Sequence, residues 1–183
     1  MQDYIILCDE SGNHLGTAPK LDSHNDHTPL HLAFSIFIFR KNGDVLLQQR
    51  SHLKKTWPLM WSNTCCGHQK LDEDLKTTAL KRLEFEIGIT QADITLMLPK
   101  FRYTCEKDGI VENEICPVFV GTTEQEPTAN PDEVEACAWM PWSEWMEIVN
   151  RDDQDYSYWS KKETKELLET PAFQDFLKQF KES

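Results

Sequence analysis

Two acidic residues separated by a single position, Glu112 and Glu114, have a spacing that suits chemistry. Residues two apart in a strand share a face, so both carboxylates would point to one side while Asn113 points to the other. Two neighbouring carboxylates repel each other unless one binds a proton or a divalent cation neutralises both. The spacing alone leaves open an exposed strand face with salt bridges, or a metal or acid–base site.

Three histidines and a pair of adjacent cysteines are further candidates. His24, His31 and His68 lie near the ends of predicted strands or loops, where a single histidine is usually an ordinary structural or surface residue. Cys66 follows Cys65, and a single cysteine is often a small buried apolar residue. Taken singly, each of these residues fits a structural role as well as a chemical one.

The cysteines as a set indicate a reducing environment. The chain has no Cys-x-x-Cys pair among Cys8, Cys65, Cys66, Cys105, Cys116 and Cys137. This distribution fits neither a structural zinc site nor a dense disulfide scaffold. We expect reduced thiols, most of them buried.

The segment of residues 67–89 resembles the Nudix box, G-x5-E-x7-R-E-U-x-E-E-x-G-U with U apolar. The matching positions are Gly67, Glu73, Leu83, Glu86, Gly88 and Ile89. Lys81 replaces the Arg, Arg82 replaces the first Glu of the R-E pair, and Phe85 replaces one of the paired acids. In Nudix hydrolases those acids hold the Mg²⁺ that activates water, so their loss argues against pyrophosphate hydrolysis.

A second resemblance accounts for these departures. The segments that carry it are His24, residues 31–34, residues 63–68 (Asn-Thr-Cys-Cys-Gly-His), residues 112–118 (Glu-Asn-Glu-Ile-Cys-Pro-Val) and residues 156–160 (Tyr-Ser-Tyr-Trp-Ser). In this order, together with the altered box, they resemble the type 1 isopentenyl diphosphate isomerase family over nearly the whole chain.

The resemblance implies a metal site. Its ligands to one divalent cation would be His24, His31, His68, Glu112 and Glu114. Three imidazole nitrogens and two carboxylates suit Mn²⁺, Zn²⁺, Fe²⁺ or Mg²⁺. Glu86 would help to hold a second cation, Mg²⁺, at the diphosphate of the substrate.

The resemblance also implies a reaction. Isopentenyl diphosphate gains a proton at its terminal alkene carbon and loses one from the carbon nearer the diphosphate, which gives dimethylallyl diphosphate. An alkene is a weak base, so the site needs a well-placed acid, charge stabilisation and exclusion of water. Glu114, hydrogen-bonded by Tyr103, would donate the proton, and Cys66 on the other side would remove one, with the roles exchanged in reverse. Trp159 would face the cationic carbon.

Four basic residues would bind the charged end of the substrate by the same resemblance. They are Lys20, Arg50, Lys54 and Arg82, and an ordinary solvated charge is the alternative for each. Arg82, at a lost metal-ligand position of the Nudix box, becomes a phosphate contact in this interpretation.

The elements that must position these residues follow from turn signals and periodicity. The pattern predicts a strand over 4–8, a hairpin of strands 32–39 and 44–49 around Asn42-Gly43, and another strand over 61–66. Apolar residues recurring every four positions predict a helix over about 73–87, which Gly88 ends. Its first turn is acidic, which suits the positive end of a helix.

The second half of the sequence predicts another hairpin and several helices. The hairpin strands are 101–106 and 110–120, joined through Asp108-Gly109, and an acidic loop leads to a strand near 136–140. Helical patterns cover 143–149, 161–168 and 172–180, with a break at Pro171. We therefore predict an α/β (α+β) fold with a Nudix-like mixed, mainly antiparallel sheet flanked by helices. Residues 1–183 would form one domain, with a core of about 30–140, an N-terminal strand and a C-terminal helical extension.

Composition limits the partners. The 183 residues carry a formal net charge of −12, the wrong sign for binding nucleic-acid phosphates. The longest apolar run, 32–39, is far shorter than the roughly 20 residues that span a bilayer, and no secretory signal is visible. We expect a cytoplasmic monomer or weak homodimer that binds neither nucleic acid nor membrane. The family resemblance implies a small isoprenoid diphosphate as its substrate.

The function that the family resemblance implies is isomerisation of isopentenyl diphosphate in isoprenoid biosynthesis. One alternative is a Nudix-type pyrophosphohydrolase, which would need the missing box acids. Another is a Nudix-derived binding protein that keeps a ligand pocket without turnover.

Overall fold

The computed structural model describes residues 3–151 and 153–180. Its strands are β1 (Tyr4–Cys8), β2 (His14–Pro19), β3 (His31–Phe39), β4 (Val45–Arg50), β5 (Trp61–Ser62), β6 (Cys65–His68), β7 (Asp93–Leu98), β8 (Arg102–Lys107), β9 (Ile110–Ile115), β10 (Val118–Thr122) and β11 (Val134–Met140). Its helices are α1 (Lys20–Ser23), α2 (Leu75–Ile87), α3 (Trp142–Arg151), α4 (Tyr158–Leu168) and α5 (Pro171–Lys178).

Strand β3 organises a mixed sheet. It pairs antiparallel with β1, β4 and β6, and parallel with β9 and β10. Its residues are almost all buried, because both faces of a central strand are covered. The predicted α+β fold with a mixed sheet flanked by helices is confirmed.

A hydrophobic core lies on each face of this sheet. Phe37 and Phe39 of β3 belong to the core that α3, α4 and α5 cover. Phe34, Ile36 and Ile38 point the other way, into the core beneath α2. The alternation of side chains along β3 therefore divides the molecule into two layers of helices with the sheet between them.

Local sequence signals produced several elements as predicted. Gly43 has a φ of 88° in the turn between β3 and β4, a conformation that glycine adopts without strain. Asp74 accepts a hydrogen bond from the Thr77 amide at the start of α2, and Gly88 ends that helix in the left-handed conformation. Pro171 is the first residue of α5, which separates it from α4.

The prediction of one strand over 61–66 was wrong, because the chain breaks between β5 and β6. Asn63 and Thr64 are buried at the break. The Asn63 amide donates to the carbonyl oxygens of Ile36 and Cys65, and the Thr64 hydroxyl donates to the Leu46 carbonyl oxygen. These side-chain hydrogen bonds take the place of regular strand pairing.

The prediction of one strand over 110–120 was also wrong. The chain leaves the ladder at Cys116 and Pro117, between β9 and β10. Proline has no amide hydrogen to donate, and the Pro117 carbonyl accepts from the Ser35 amide instead. The break lets both strands run parallel to β3 at successive points along it.

Strands β2 and β7 and the short helix α1 were not predicted. Most side chains of β2 are exposed or only partly buried, so it shows little apolar alternation. In β7, Ile94 alone is buried. Within the described residues, we find no helix long and apolar enough to cross a membrane.

Candidate active site and metal centre

Three histidine side chains meet at one end of the sheet. His24 follows α1, His31 begins β3 and His68 ends β6. The two strands are antiparallel neighbours, with Ala33 opposite His68. The three ring centroids lie 5.0 to 5.4 Å apart, so segments distant in sequence converge on one point.

Backbone carbonyls orient two of these rings. Nδ1 of His24 lies 2.7 Å from the Lys20 carbonyl oxygen, and Nδ1 of His31 lies 2.9 Å from the Pro29 carbonyl oxygen. A ring nitrogen that faces a carbonyl oxygen donates its proton to it. The Nε2 atoms of His24 and His31 therefore present lone pairs to the centre of the cluster.

Glu112 and Glu114 of β9 form the acidic side of the cluster. Oε2 of Glu112 lies 3.3 Å from Nε2 of His24. Oε1 of Glu114 lies 3.3 Å from Nε2 of His31 and also 3.3 Å from Nε2 of His68. Both carboxylates are buried on one face of β9. The strand alternation predicts the shared face, and the burial excludes the alternative of an exposed strand face.

These side chains fit a divalent cation. Nε2 of His31 and Oε2 of Glu112 are buried without a hydrogen-bond partner, which is unfavourable unless a ligand binds there. Potential ligand atoms lie within 4.8 Å of one another in two overlapping groups, one of His24, His31 and His68, the other of His31, Glu112 and Glu114. Imidazole nitrogen with carboxylate oxygen suits a hard or borderline cation.

Electrostatics favour the metal-binding protonation states of His68 and Glu114 but not that of His31. Burial lowers the pKa of His31, and its contact with the Glu114 carboxylate more than reverses this effect. Burial lowers the pKa of His68 to about 3, so its ring is neutral near pH 7. Burial raises the pKa of Glu114, but His31 and His68 more than reverse this effect, and the carboxyl is ionised. Neutral imidazole and ionised carboxylate are the forms that coordinate metals.

Tyr103 connects Glu114 to the interior. It lies opposite Glu114 in the pairing of β8 with β9, and its hydroxyl donates to Oε2 of Glu114 over 2.7 Å. Burial raises the pKa of Tyr103 well above its ordinary value, so the hydroxyl keeps its proton. One oxygen of Glu114 thus faces the histidines while the other accepts from Tyr103.

Cys66 and Cys65 point to opposite faces of the sheet. Sγ of Cys66 donates to Oδ1 of Asn63 over 3.1 Å and lies 3.3 Å from Oγ of Ser35. Sγ of Cys65 is fully buried beneath α2 and lies 3.3 Å from Oε2 of Glu86. Burial raises the pKa of Cys66 to about 12, so this residue is a thiol near pH 7.

Trp159 of α4 contacts Ser62, which leads to Cys66, and Tyr103, which binds Glu114. Its Nε1 donates to Oγ of Ser62 over 2.9 Å, and Ser62 donates to the same Asn63 oxygen that accepts from Cys66. Its ring centroid lies 6.0 Å from that of Tyr103. The indole is therefore fixed between the two groups proposed to move protons.

Three of the four predicted phosphate-binding residues lie near one another. Lys54 forms an ion pair with Glu133, and Nη2 of Arg82 lies 2.5 Å from Oε2 of the same Glu133. Burial lowers the pKa of Lys20, and the nearby charges of Arg82 and Lys54 contribute to this shift. We call these three residues the basic cluster, although each is paired with an acidic residue: Lys20 with Asp3, and Lys54 and Arg82 with Glu133.

Arg50 differs from the other three. Its guanidinium donates to the carbonyl oxygens of Thr56 and Trp57 and to the Thr56 hydroxyl. These bonds hold the loop between β4 and β5. The structure shows Arg50 in this loop contact and not in the ion pairs around Glu133.

A Nudix family model matches residues 29–160, described as a NUDIX domain. A Saccharopolyspora erythraea protein named isopentenyl-diphosphate Delta-isomerase is 43% identical over 171 residues, which cover 93% of this chain and 88% of that protein. A Salmonella arizonae protein of the same name is 36% identical over 83% of this chain and 92% of its own. The chain belongs to the isopentenyl-diphosphate Delta-isomerase family.

Solved structures with low sequence identity share the fold of this isomerase family member. A crystal structure of DR0079 from Deinococcus radiodurans covers 87% of the chain with a TM-score of 0.68 and 11% identity. A MutT protein from Methanosarcina mazei covers 84% with a TM-score of 0.58 and 19% identity. These likenesses show the Nudix fold alone.

Glu86 lies with the basic cluster and not with the histidines of this family member. Its Oε1 accepts from Arg82 at 2.5 and 2.9 Å, and its Oε2 accepts from Nε2 of Gln48 over 2.9 Å. The predicted ligand residues therefore fall into two places, the histidine and glutamate cluster and the buried Glu86 on α2.

Sequence reasoning missed residues that contact the predicted ones. Glu133 binds both Lys54 and Arg82, although it lies in a stretch interpreted as an acidic loop. Glu163 is fully buried on α4, where its Oε1 accepts from Sγ of Cys116. The signal for Glu163 was present, because it falls four residues after Trp159 on the buried face of a helix.

Proposed function

We propose that this chain interconverts isopentenyl diphosphate and dimethylallyl diphosphate by metal-dependent protonation and deprotonation in isoprenoid biosynthesis. The observation that carries this proposal is the buried cluster of three histidines and two glutamates. Tyr103 binds Glu114 of this cluster and lies beside the ring of Trp159, and Trp159 is connected to Cys66 through Ser62 and Asn63. Family membership supplies the substrate, and the cluster supplies groups able to move protons.

A divalent cation would be held by His24, His31, His68, Glu112 and Glu114, and the donor set suits Mn²⁺, Zn²⁺, Fe²⁺ or Mg²⁺. When bound, it would neutralise the paired carboxylates and fix Glu114 in place. The two orphaned atoms, Nε2 of His31 and Oε2 of Glu112, support this assignment.

Cys66 and Glu114 would move the two protons. As in the sequence analysis, Glu114 would donate a proton to the terminal carbon and Cys66 would remove one from the carbon nearer the diphosphate, with the roles exchanged in reverse. The hydrogen bond from Tyr103 to Glu114 and the contact of Cys66 with Asn63 support these two residues.

Trp159 would stabilise the positive charge that develops on the substrate. A desolvated cation over an indole ring gains roughly 2 kcal/mol. Trp159 is 4% exposed, which keeps water away from the ring. Its hydrogen bond to Ser62 supports a fixed orientation of the ring before substrate arrives.

Lys20, Lys54 and Arg82 would bind the diphosphate, with Glu133 releasing its cations as the substrate enters. Glu86, adjacent to Arg82, would help to hold the Mg²⁺ that accompanies the diphosphate. Arg50 would order the loop that carries Lys54. We also propose that Arg50 contacts the diphosphate of the substrate.

We also propose a domain organisation, a location and an oligomeric state for this protein. Residues 1–183 would form one isomerase domain with its core at about 30–140. The protein would act in the cytoplasm as a monomer or weak homodimer, without binding nucleic acid or membrane.

The test is incubation of the purified protein with isopentenyl diphosphate, Mg²⁺ and Mn²⁺ in D₂O. We expect dimethylallyl diphosphate that carries deuterium, with no release of inorganic phosphate, measured by NMR and a phosphate assay. Strong chelation or His31→Ala should abolish turnover, and added Mn²⁺ or Zn²⁺ with Mg²⁺ should restore the chelated protein.

Two results would contradict the proposal. Release of phosphate or pyrophosphate without isomer would indicate a hydrolase. Saturable binding without either product would indicate a binding protein that has lost turnover.

A further inference from the structure

Glu133 lies where two side chains of the basic cluster meet. Its Oε2 accepts from Nζ of Lys54 and also from Nη2 of Arg82, the latter over 2.5 Å. The three side chains are between 18% and 25% exposed, so water and salt screen these ion pairs only in part. Two cations that donate to one carboxylate oxygen are arranged as they would be around one oxygen of a phosphate.

The donors of Arg82 on this side are already in use. Its Nε and Nη2 donate to Oε1 of Glu86 over 2.9 and 2.5 Å. Nη2 carries two hydrogens, and the second goes to Glu133. A phosphate oxygen can therefore take this bond only if the Glu133 carboxylate gives it up.

The backbone of Glu133 is fixed beside these cations. The Ser51 amide donates to the Glu133 carbonyl oxygen, and the Glu133 amide donates to the Asn130 carbonyl oxygen, both over 3.0 Å. The Lys54 amide donates to the Ser51 carbonyl oxygen over 3.1 Å, so Ser51 connects Glu133 to the loop that carries Lys54. These bonds do not involve the carboxylate, which can turn away from its cations while the backbone stays in place.

Two carboxylates balance the charge of two cations at this place. Lys54 and Arg82 carry two positive charges, and both Glu86 and Glu133 lie within ion-pair distance of them. Burial raises the pKa of Glu133, but Arg82 and Lys54 more than reverse this effect, so the carboxyl is ionised near pH 7. An anion that enters meets no net positive charge from these four residues, and the Glu133 carboxylate repels it.

The proposed reaction gives a reason for such a competitor, and this step rests on the proposed function. Isomerisation moves a double bond, so the product carries the same diphosphate as the substrate. The chemical step therefore does nothing to loosen the charged end of the molecule. Cations that bound the diphosphate without opposition would hold the product as firmly as the substrate, and such uniform binding does not speed the chemical step.

We propose that Glu133 is an internal competitor for the diphosphate, which holds Lys54 and Arg82 in the free protein and takes them back as the product leaves. It is a residue that sets affinity and does not take part in proton transfer. In this role the Glu133 carboxylate weakens the binding of substrate and product alike and shortens the time for which the product stays bound.

The test measures the binding of inorganic pyrophosphate with Mg²⁺ to Mn²⁺-loaded protein by isothermal titration calorimetry. Glu133→Gln keeps the shape of the side chain and removes its charge, so the bonds that pyrophosphate must displace are weaker. We expect Kd to fall about tenfold. Glu135→Gln is the matched control, because it removes the same charge from an exposed acid that pairs with His52, and its Kd should stay within about twofold of wild type.

Steady-state kinetics supply a second measurement. In Glu133→Gln, the KM for isopentenyl diphosphate and the inhibition constant of dimethylallyl diphosphate should both fall about tenfold, with kcat no higher than in the wild type. A residue that only stabilised the loop would not tighten the binding of both molecules when it is replaced.

Three results would overturn the proposal. Weaker binding of pyrophosphate by folded Glu133→Gln would mean that Glu133 holds the cations in position for the ligand. An unchanged Kd, or no binding by either protein, would mean that Glu133 does not compete. An equal gain in Glu135→Gln would attribute the effect to net charge.

The failure of the proposed function would be distinguishable from these results. Tighter binding of pyrophosphate by Glu133→Gln, together with a wild type that forms no dimethylallyl diphosphate, would refute isomerisation and support competition at this anion site.

Discussion

Cys65 and Cys66 are neighbours in sequence whose side chains enter different layers of the molecule. Sγ of Cys65 lies under α2 against Glu86, whereas Sγ of Cys66 lies with Ser35 and Asn63 on the side of α4. Successive residues of a strand leave opposite faces. One thiol of the pair can therefore reach the substrate without rearrangement of the strand.

Replacing these cysteines separately tests the assignment. Cys66→Ala should abolish isomerisation while the fold and the bound metal are retained, as measured by circular dichroism and elemental analysis. Cys65→Ala should keep most of the activity and lose about 1 kcal/mol of stability, because the change truncates a buried side chain. Alkylation should inactivate the protein at Cys66, with protection by substrate. An inactive but folded Cys65→Ala beside an active Cys66→Ala would reverse the assignment.

Trp159 offers a second prediction for a single residue. Trp159→Leu should lower kcat by roughly 30-fold with little change in KM, which corresponds to about 2 kcal/mol of cation–π stabilisation in the transition state. Trp159→Phe keeps an aromatic face and loses the bond to Ser62, so it should retain a larger share of kcat than Leu. Equal kcat values for Leu and wild type, in steady-state assays of folded protein, would exclude the ring from the mechanism.

The sequence allowed some site residues to be predicted and concealed others. Alternation in a strand suffices to put Glu112 and Glu114 on one face, and the family resemblance adds the histidines. Glu133 could not be found in this way, because its contact with Lys54 and Arg82 depends on how β11 pairs with β4. The helical spacing from Trp159 indicates that Glu163 is buried, but spacing does not show which groups a buried acid contacts.

At the scale of elements, the turns were predicted more accurately than the strands. Asn42-Gly43 and Asp108-Gly109 specify tight turns by local conformation alone, and the structure has both, with Asp108 at φ 53° and Gly109 at φ 77°. The breaks at residues 63–64 and 116–117 depend on tertiary hydrogen bonds with β3 and β4. No local pattern encodes such partners, so single long strands were predicted.

Gly121 of β10 gives a prediction for the pairing of elements. A Cβ atom at this position would overlap the backbone carbonyl oxygen of Asp93 in β7. Gly121→Ala should therefore separate the two strands locally and lower the free energy of unfolding by about 1–3 kcal/mol, as measured by urea denaturation. Thr122→Ala, at the next position of the strand, adds no atoms and should change stability much less. Equal midpoints for the two variants would show that β7 moves aside without loss.

For the whole molecule, the buried histidine cluster makes stability depend on pH. The folded pKa of His68 is about 3 against 6.5 for the unfolded chain, so between these values the unfolded chain binds more protons. The lowered pKa of Glu114 acts in the same direction at the acidic end. The raised pKa of His31 acts in the opposite direction, because its contribution is lost as pH rises.

We expect the free energy of unfolding of metal-free protein to fall as pH is lowered from 6.5 toward 3. The measurement is urea denaturation at a series of pH values. His68→Gln removes the titrating ring and should flatten the profile between pH 6.5 and 4. A variant whose profile keeps the wild-type slope would show that other groups cause the acid sensitivity.

The parallel pairing of His31 with Glu114 joins residues that are far apart in sequence, so the metal site forms late in folding. Pairing between distant strands forms slowly, so the ligands come together only after most of the sheet exists. A cation that binds the completed site stabilises the native state without stabilising the transition state for folding. Stopped-flow refolding should therefore proceed at the same rate with or without Mn²⁺, while unfolding becomes slower as Mn²⁺ is added. The metal would determine how long a folded molecule lasts and have no effect on how soon it forms.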